Sequence, residues 1–117
     1  MVESKKDHHY AILVSEKKII GHLALSHINK NKAEIQIVVG EKEYWGKGLG
    51  TLAIKKGVDE AFNRLGYKEI YLEVRPNNQR AIKAYQNVGF KRLGIKEYPS
   101  NPNLPKVLMM SVLKDKP

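Results

Sequence analysis

The stretch EYWGKGLGTLAIKK, residues Glu43 to Lys56, decides the fold. It places glycines at positions 46, 48 and 50 and then changes at once to apolar residues at helical spacing. The first amides of a helix lack carbonyl partners within it and lie at the positive end of its dipole. Glycine lets such amides approach phosphate oxygens without a Cβ between them. The stretch therefore predicts a helix start that holds a phosphate or pyrophosphate.

Three β-rich runs precede the glycines. They are Tyr10–Val14, Ile19–Leu25 and Ala33–Val39, and the polar segments SEKK and NKNK separate them. Branched and aromatic residues bounded by polar turns are typical of strands joined in hairpins. We therefore expect three successive antiparallel strands before the glycine-rich turn.

Two helices and three more strands are predicted after the glycines. Apolar residues at helical spacing indicate a first helix from about Leu49 to Leu65, with Gly66 as its left-handed stop. The remaining predicted elements are a strand at Glu69–Val74, a helix capped by Asn77 or Asn78 and closed by Gly89, a strand that begins at Phe90, and a last strand at Val107–Leu113. The predicted order is β-β-β-α-β-α-β-β, an α/β (α+β) fold.

The global composition limits the kind of protein. The 117 residues predict a single domain spanning 1–117, with 42% hydrophobic and 28% charged residues. A net charge of +9 favours an anionic partner, and the lack of cysteine excludes disulfides and thiolate chemistry. No apolar run reaches the ~20 residues that span a bilayer, so we expect a cytoplasmic protein that does not interact with membranes. The few aromatic residues, 8%, do not favour a nucleic-acid partner.

Two common phosphate motifs fit the glycines poorly. A P-loop needs four residues between its first glycine and the Gly-Lys pair, whereas five separate Gly40 from Gly46. Gly48, Gly50 and Ala53 satisfy the dinucleotide pattern G-x-G-x-x-G/A. That fold, however, opens with its motif and needs a longer parallel sheet than this chain supplies.

A third match extends beyond the glycines. WGKGLG, together with the downstream segment NQRAIKAYQNVGF, resembles the GNAT superfamily of N-acetyltransferases over roughly Tyr10 to Leu113. In that family a Q/R-x-x-G-x-G/A turn wraps the pyrophosphate of acetyl-coenzyme A. The family pattern N-x-x-A-x-x-x-Y-x-x-x-G-F is matched by Asn78, Ala81, Tyr85, Gly89 and Phe90. The resemblance implies a mixed, mostly antiparallel sheet in which the strands AEIQIVV and EIYLEV splay apart to hold the cofactor.

The resemblance implies direct transfer of an acetyl group from acetyl-coenzyme A to a primary amine, without a metal. The acceptor would be a peptide or protein N-terminus, a polyamine or a small amine. The cofactor residues that it implies are Ile37, Val38, Val39, Trp45, Gly46, Lys47, Gly48, Leu49, Gly50, Thr51, Asn78, Ala81 and Tyr85. Backbone amides near Ile37 to Val39 would stabilise the oxyanion.

Two side chains are candidates for proton transfer. The resemblance implies that Tyr85 is the acid for the departing thiolate, while packing of its ring on the apolar helix face is the alternative. Glu34 is the candidate general base, acting through water. Strand alternation places Glu34 with Gln36 and Val38 on one face, so a solvated strand carboxylate is the alternative.

The histidines do not predict a metal site. His22 and His27 are five residues apart in or near a strand, and the odd spacing directs their rings to opposite faces. His8 and His9 belong to the N-terminal segment, which we expect to be loose.

The match also departs from the family pattern. Trp45 replaces the usual Gln or Arg, as in the branch of ribosomal-protein N-terminal and spermidine acetyltransferases. The chain begins at what would be the second strand, so we expect the usual first strand and first two helices to be absent. A partner subunit, as in a homodimer, could cover the flank that they would leave; a fragment of a longer protein or a missing upstream segment would equally explain the departure. The same departure supports an alternative function, a non-catalytic acetyl-coenzyme A sensor or subunit.

Overall fold

The computed structural model describes residues 7–15, 18–40, 48–100 and 106–114. Its elements, in chain order, are β1 (His8–Ser15), β2 (Lys18–Asn29), β3 (Lys32–Val39), α1 (Leu49–Asn63), β4 (Glu69–Val74), α2 (Gln79–Val88), β5 (Lys91–Glu97) and β6 (Lys106–Leu113). The predicted order of strands and helices is confirmed. None of the described helices is long and apolar enough to cross a membrane.

The strands form one six-stranded sheet in the order β1-β2-β3-β4-β6-β5. Every neighbouring pair is antiparallel except β3 and β4, which run parallel. The two predicted hairpins are confirmed, with Ser15 opposite Lys18 in the first and Asn29 opposite Lys32 in the second. The sheet is therefore mixed and mostly antiparallel, as predicted.

The parallel pair β3 and β4 comes apart after three residues. The last partners are Glu34 and Tyr71, and β3 then runs on to Val39 beside β2 alone. The predicted splay between the strands AEIQIVV and EIYLEV is thus confirmed. It opens a V-shaped gap, and the backbone groups of β3 that point into the gap have no partner on β4.

Both helices pack on one face of the sheet. Ile54, Val58 and Ala61 of α1 and Ile82 of α2 join a single core with the strand residues. Alternate residues of β4, Ile70 and Leu72, are buried in it with 0% and 1% exposure. The strand period of two therefore separates an apolar helix side from a second face, on which no described helix packs. We call this second face the open face.

A glycine inside α1 sets how closely that helix approaches the sheet. A Cβ on Gly57 would lie 2.9 Å from Leu23 Cδ1 and 3.2 Å from Ile35 Cδ1. Such distances are too short for carbon atoms in contact, so the missing side chain lets the helix backbone rest on β2 and β3. This close contact fixes the N-terminus of α1 above the gap.

The end of α1 differs slightly from the expectation. The regular helix stops at Asn63 rather than Leu65, because the Leu65 amide donates to the Glu60 carbonyl, five residues back. Gly66 has the predicted positive φ, 84°, and turns the chain so that Tyr67 donates its amide to Ala61. The glycine still turns the chain away from the helix, but it lies three residues beyond Asn63, the last regular helical residue.

The caps of α2 are as predicted. Asn78 is the N-cap, and its side-chain oxygen accepts a hydrogen bond from the Ala81 amide at 3.2 Å. Gly89 is the left-handed C-cap, with φ 116°. The Phe90 amide then donates to the Tyr85 carbonyl at 3.0 Å. These bonds fix the position of Tyr85 on the helix face above the gap.

Candidate functional site

A cavity of about 630 Å³ lies at the wide end of the V-shaped gap. Its walls are the end of β3, the start of α1 and one side of α2. The residues that line it are Ile37, Val38, Gly48, Gly50, Thr51, Ile54, Asn78, Arg80, Ala81, Lys83, Ala84, Tyr85 and Asn87. A cavity of this size is typical of a site for a cofactor or another small molecule.

The structure brings most of the predicted cofactor residues to this one cavity. Eight of them line it, namely Ile37, Val38, Gly48, Gly50, Thr51, Asn78, Ala81 and Tyr85. Val39 ends β3 and Leu49 begins α1, next to the lining residues. Trp45, Gly46 and Lys47 lie outside the described residues. The roles of all these residues remain predictions.

The start of α1 is open toward the cavity. Gly48 is its N-cap, with φ 79°, a conformation that favours glycine, and its carbonyl accepts the Leu52 amide at 3.0 Å. A Cβ on Gly50 would meet no atom of the described protein within 4 Å. Packing within the described protein therefore does not require a glycine at position 50, and the space in front of its backbone is open. The amides at this helix start are the donors that an anion would use.

Tyr85 is one of the residues that line the cavity. Its ring is half-buried and contacts Phe90, with ring centroids 5.8 Å apart. Within the described part of the chain the hydroxyl has no hydrogen-bond partner. Burial raises the pKa of Tyr85 above its ordinary value. The phenol is therefore protonated at neutral pH and has its proton available to a ligand in the cavity.

Two positively charged side chains that were not predicted from the sequence also line the cavity. Arg80 and Lys83 lie on α2 and line the same space as the start of α1. The positive end of the α1 dipole and these two side chains would therefore both attract an anion in the cavity. Arg80 and Lys83 are three residues apart, and the first of them lies two positions after the N-cap Asn78. This spacing could have identified them from the sequence as neighbours on one side of the helix.

Glu34 does not line the cavity. It lies at the vertex of the V, on the open face and opposite Tyr71. The predicted alternation is confirmed, since Ala33 and Ile35 are buried and Glu34 is half-buried. Burial, followed by the nearby charge of Glu73, raises the pKa of Glu34 above its usual value. Glu34 is thus more basic than a fully solvated strand carboxylate.

A second polar group on the open face was not predicted. Glu73 accepts hydrogen bonds from the hydroxyls of Tyr71, at 2.8 Å, and Tyr98, at 2.7 Å. The Lys96 ammonium lies 3.7 Å from the same carboxylate. We call these four residues the open-face cluster. Burial alone would raise the pKa of Glu73, but the two hydroxyls and the ammonium together lower it below its usual value.

The histidines have separate partners. The expectation of a loose segment at His8 and His9 is wrong, because both lie in β1 and pair with β2. His22 stacks on His9, with Nδ1 of His9 3.1 Å from Nε2 of His22. His27 Nδ1 lies 2.7 Å from the hydroxyl of Tyr67. His22 and His27 thus do not face a common point, as their odd spacing predicts.

Comparisons with known proteins find acetyltransferases among those similar to this chain. A sequence profile described as "Acetyltransferase (GNAT) family" matches residues 2–90. The spermidine N(1)-acetyltransferase of Vibrio cholerae is 29% identical over 98% of this chain and 68% of its own length. The N-alpha-acetyltransferase RimI of Mycobacterium tuberculosis is 30% identical over 75% of this chain and 55% of its own length. The chain thus spans about two thirds of the first relative and about half of the second.

A solved structure shares the fold. The crystal structure of the Vibrio cholerae spermidine N-acetyltransferase in complex with CoA and spermine has a TM-score of 0.80 and 30% sequence identity to this chain. The match covers 92% of this chain and 65% of that one. Together with the profile match over three quarters of the chain, this similarity confirms the resemblance inferred from the sequence. The chain belongs to the acetyltransferase (GNAT) family, whose members use acetyl-coenzyme A to acetylate amines.

Proposed function

We propose that this single domain transfers an acetyl group from acetyl-coenzyme A to a primary amine by direct attack in a ternary complex. The observation that carries the proposal is the cavity itself. It joins a helix start with glycines at positions 48 and 50, two positively charged side chains and a protonated phenol at the wide end of a gap between parallel strands. Each of these features matches one part of an acyl-coenzyme A thioester.

The start of α1 would hold the pyrophosphate. The amides that follow Gly48 point outward at the positive end of the helix, and the empty space at Gly50 leaves room for phosphate oxygens. Arg80 and Lys83 supply further positive charge along the same cavity. Asn78 uses its side-chain oxygen to cap α2, which leaves its NH₂ group for a polar atom of the pantetheine arm.

The gap between β3 and β4 would admit the pantetheine arm. An extended chain with amide groups can take the place of a missing strand, because it bonds to the backbone groups that the splay leaves unpaired on β3. The amides near Ile37 to Val39 would then lie beside the thioester carbonyl and stabilise its oxyanion. Bound acetyl-coenzyme A supplies the activated acetyl group, and the chain supplies the hydrogen bonds that orient it.

Two residues would move the protons. Tyr85 would donate its phenolic proton to the sulfur as the carbon–sulfur bond breaks. Glu34, whose pKa is raised by burial, would take a proton from the attacking amine through water. The two groups lie on opposite sides of the gap, with Tyr85 in the cavity on the helix side and Glu34 on the open face. The amine would therefore approach from the open face while the thiolate leaves on the helix side.

Equilibrium binding tests the first half of the proposal. Calorimetric titration of the purified chain with acetyl-coenzyme A should show one site, while NAD and a short single-stranded oligonucleotide should show none. Gly50→Glu places a negative charge and a side chain in the open space and should abolish the binding. Gly50→Ala adds only a Cβ to that space and is the matched control.

Turnover tests the second half. Release of free thiol is measured with a panel of peptides, polyamines and small amines as acceptors. Thiol release that depends on an amine supports the transferase. Tight acetyl-coenzyme A binding without thiol release for any acceptor would instead identify a non-catalytic binding domain.

A further inference from the structure

The charges that line the cavity all have the same sign. Arg80 and Lys83 are the charged side chains in the lining, and no carboxylate of the described residues belongs to it. Arg75 directly follows β4 and adds a third positive charge nearby, since its carbonyl accepts the amide of Asn78 at the turn into α2. Residues 41–47, which lie outside the described ranges, contain two glutamates and two lysines and so add no net charge. The cavity therefore attracts anions.

Arg80 lies where the backbone of its own helix disfavours a cation. It is the second residue of α2, and the first turn of this helix contains no acidic residue. The positive end of a helix dipole favours acidic side chains in the first turn and disfavours basic ones. The stability of α2 therefore gives no reason for a cation at this position, and a bound anion would offset its cost.

The spacing of Arg80 and Lys83 allows both to bind one group. Residues three apart on a helix lie side by side, with Cβ atoms about 5–6 Å apart. A guanidinium forms two parallel hydrogen bonds to a phosphate, and an ammonium binds it as a compact charge. A single phosphate between these two side chains can therefore bond to both.

Acetyl-coenzyme A carries two kinds of phosphate. Each phosphate of its pyrophosphate has a single negative charge, whereas the phosphate on the 3′ oxygen of its ribose is a monoester with a charge of about −1.5 to −2 at neutral pH. The start of α1 offers backbone amides and about half a unit of positive charge, which suits the less charged pyrophosphate. The monoester is matched by formal charges, and two of these line the cavity on α2. Charge matching thus assigns the two anions to different walls of the cavity.

We propose that Arg80 and Lys83 bind the 3′-phosphate of the cofactor and make the site selective for it over analogues whose ribose lacks this phosphate. The inference rests on the proposed binding of acetyl-coenzyme A in this cavity, and it identifies the residues that recognise the nucleotide end. The start of α1 then holds the pyrophosphate alone. The charges on α2 decide which acyl carrier binds and do not take part in the chemistry at the thioester.

Two ligands that differ by one group test this assignment. Coenzyme A and dephospho-coenzyme A are identical except for the 3′-phosphate, and neither carries an acetyl group, so the measurement does not depend on turnover. Each is titrated into the purified chain by calorimetry at about 0.15 M salt, where charges on distant parts of the surface are screened. Coenzyme A should bind at least about tenfold more tightly, because it makes hydrogen bonds between charged groups that the other ligand lacks.

Substitutions on α2 should remove this difference. Arg80→Gln should weaken coenzyme A binding by about tenfold and change dephospho-coenzyme A binding by less than about twofold. Lys83→Met should act in the same way by about threefold or more, and the double variant should bind the two ligands alike. Lys56→Met is the matched control, because it removes a positive charge from an exposed side chain of α1 that lines a separate cavity. It should change neither affinity.

Two results would overturn the assignment. One is equal affinity of the unchanged chain for the two ligands, a comparison that does not depend on the folding of any variant. The other is an Arg80→Gln variant that binds both ligands more weakly by the same factor, because the positive charge would then act on the pyrophosphate. Circular dichroism of each variant checks that the helices are retained.

Turnover with acetyl-coenzyme A and acetyl-dephospho-coenzyme A separates this inference from the proposed function. If coenzyme A binds with the expected preference but no amine is acetylated, the 3′-phosphate site stands and the transferase activity fails. If both acetyl donors are used with the same KM, the activity stands and the assignment of Arg80 and Lys83 fails. If neither coenzyme A nor its dephospho form binds, both proposals fail.

Discussion

The two faces of the sheet are built in different ways. On the helix side, β4 contributes Ile70, Leu72 and Val74, which are buried among apolar residues from both helices. On the open face the same strand contributes Tyr71 and Glu73, which join a network of hydrogen bonds and ion pairs. Neighbouring residues of one strand thus contribute to the apolar core and to the polar surface beside the gap.

The comparison indicates which face stabilises the fold and which face is available for binding. The helix side holds the sheet together by burying apolar area, which depends little on direction. The open face depends on a few directional contacts around one carboxylate. We expect substitutions on the helix side to change folding and those on the open face to change binding, with little overlap between the two effects.

Paired substitutions on β4 test this separation with the largest expected effect. Leu72→Ala should lower the free energy of unfolding by about 2–5 kcal/mol, because it removes a fully buried side chain. Tyr71→Phe keeps the ring and loses one half-exposed hydrogen bond, which costs about 1 kcal/mol or less. Urea denaturation of both variants measures the difference. Similar losses from the two substitutions would show that the open face contributes to folding as much as the core does.

The helix side was also the part that the sequence predicted well. Residue spacing located every strand and both helices, and the capping residues Asn78 and Gly89 lie where the pattern placed them. These features depend on near neighbours along the chain, so their signal is local. The splay of β3 and β4 came from the family resemblance, because no local pattern indicates where two strands separate.

The open-face cluster could not be predicted because its members are far apart in sequence. Glu73 and Tyr98 are separated by 25 residues and meet only after β5 has been placed at the edge of the sheet. The side on which Lys96 lies depends on the bulge before Gly94, and a shift of one residue would send it to the helix side. Likewise, the spacing of Arg80 and Lys83 shows that they are neighbours on a helix but not which way that side of the helix faces.

The next largest effect concerns the start of α1. Gly50→Glu should weaken acetyl-coenzyme A binding by about a hundredfold or more, because it sets a like charge where phosphates are expected. Gly50→Ala should bind within a few-fold of the unchanged chain and raise the melting temperature slightly, since alanine is the better helix former. Calorimetry and thermal denaturation give both values. Retained binding in Gly50→Glu would place the pyrophosphate elsewhere.

Tyr85→Phe tests the cavity as a reaction site. Without the phenolic proton, turnover should fall by about a hundredfold, while the dissociation constant for acetyl-coenzyme A should stay within about twofold. Tyr10→Phe is the matched control, because its hydroxyl bonds to Glu60 on α1, away from the cavity. Steady-state kinetics and calorimetry separate the two quantities. A loss of binding with unchanged turnover would limit Tyr85 to a packing role.

The smallest expected effect distinguishes the two carboxylates of the open face by the sign of their pH dependence. The pKa of Glu34 is raised in the folded state, so the folded chain binds more protons than the unfolded chain above the usual glutamate value of 4.5. Stability from this group therefore falls as the pH rises through that range. The pKa of Glu73 is lowered, so its contribution is present above 4.5 and is lost as the pH falls through the lowered value.

Glutamine substitutions should show these opposite signs. In urea denaturation between pH 3 and 7, Glu34→Gln should be more stable than the unchanged chain at pH 7 and equal to it at pH 3. Glu73→Gln should be less stable at pH 7, and the deficit should shrink toward pH 3, where the carboxylate of the unchanged chain also gains a proton. If Glu34 is instead an ordinary solvated carboxylate, its substitution will leave the pH dependence of unfolding unchanged. Its role as a base would then lack the perturbed environment on which the proposal depends.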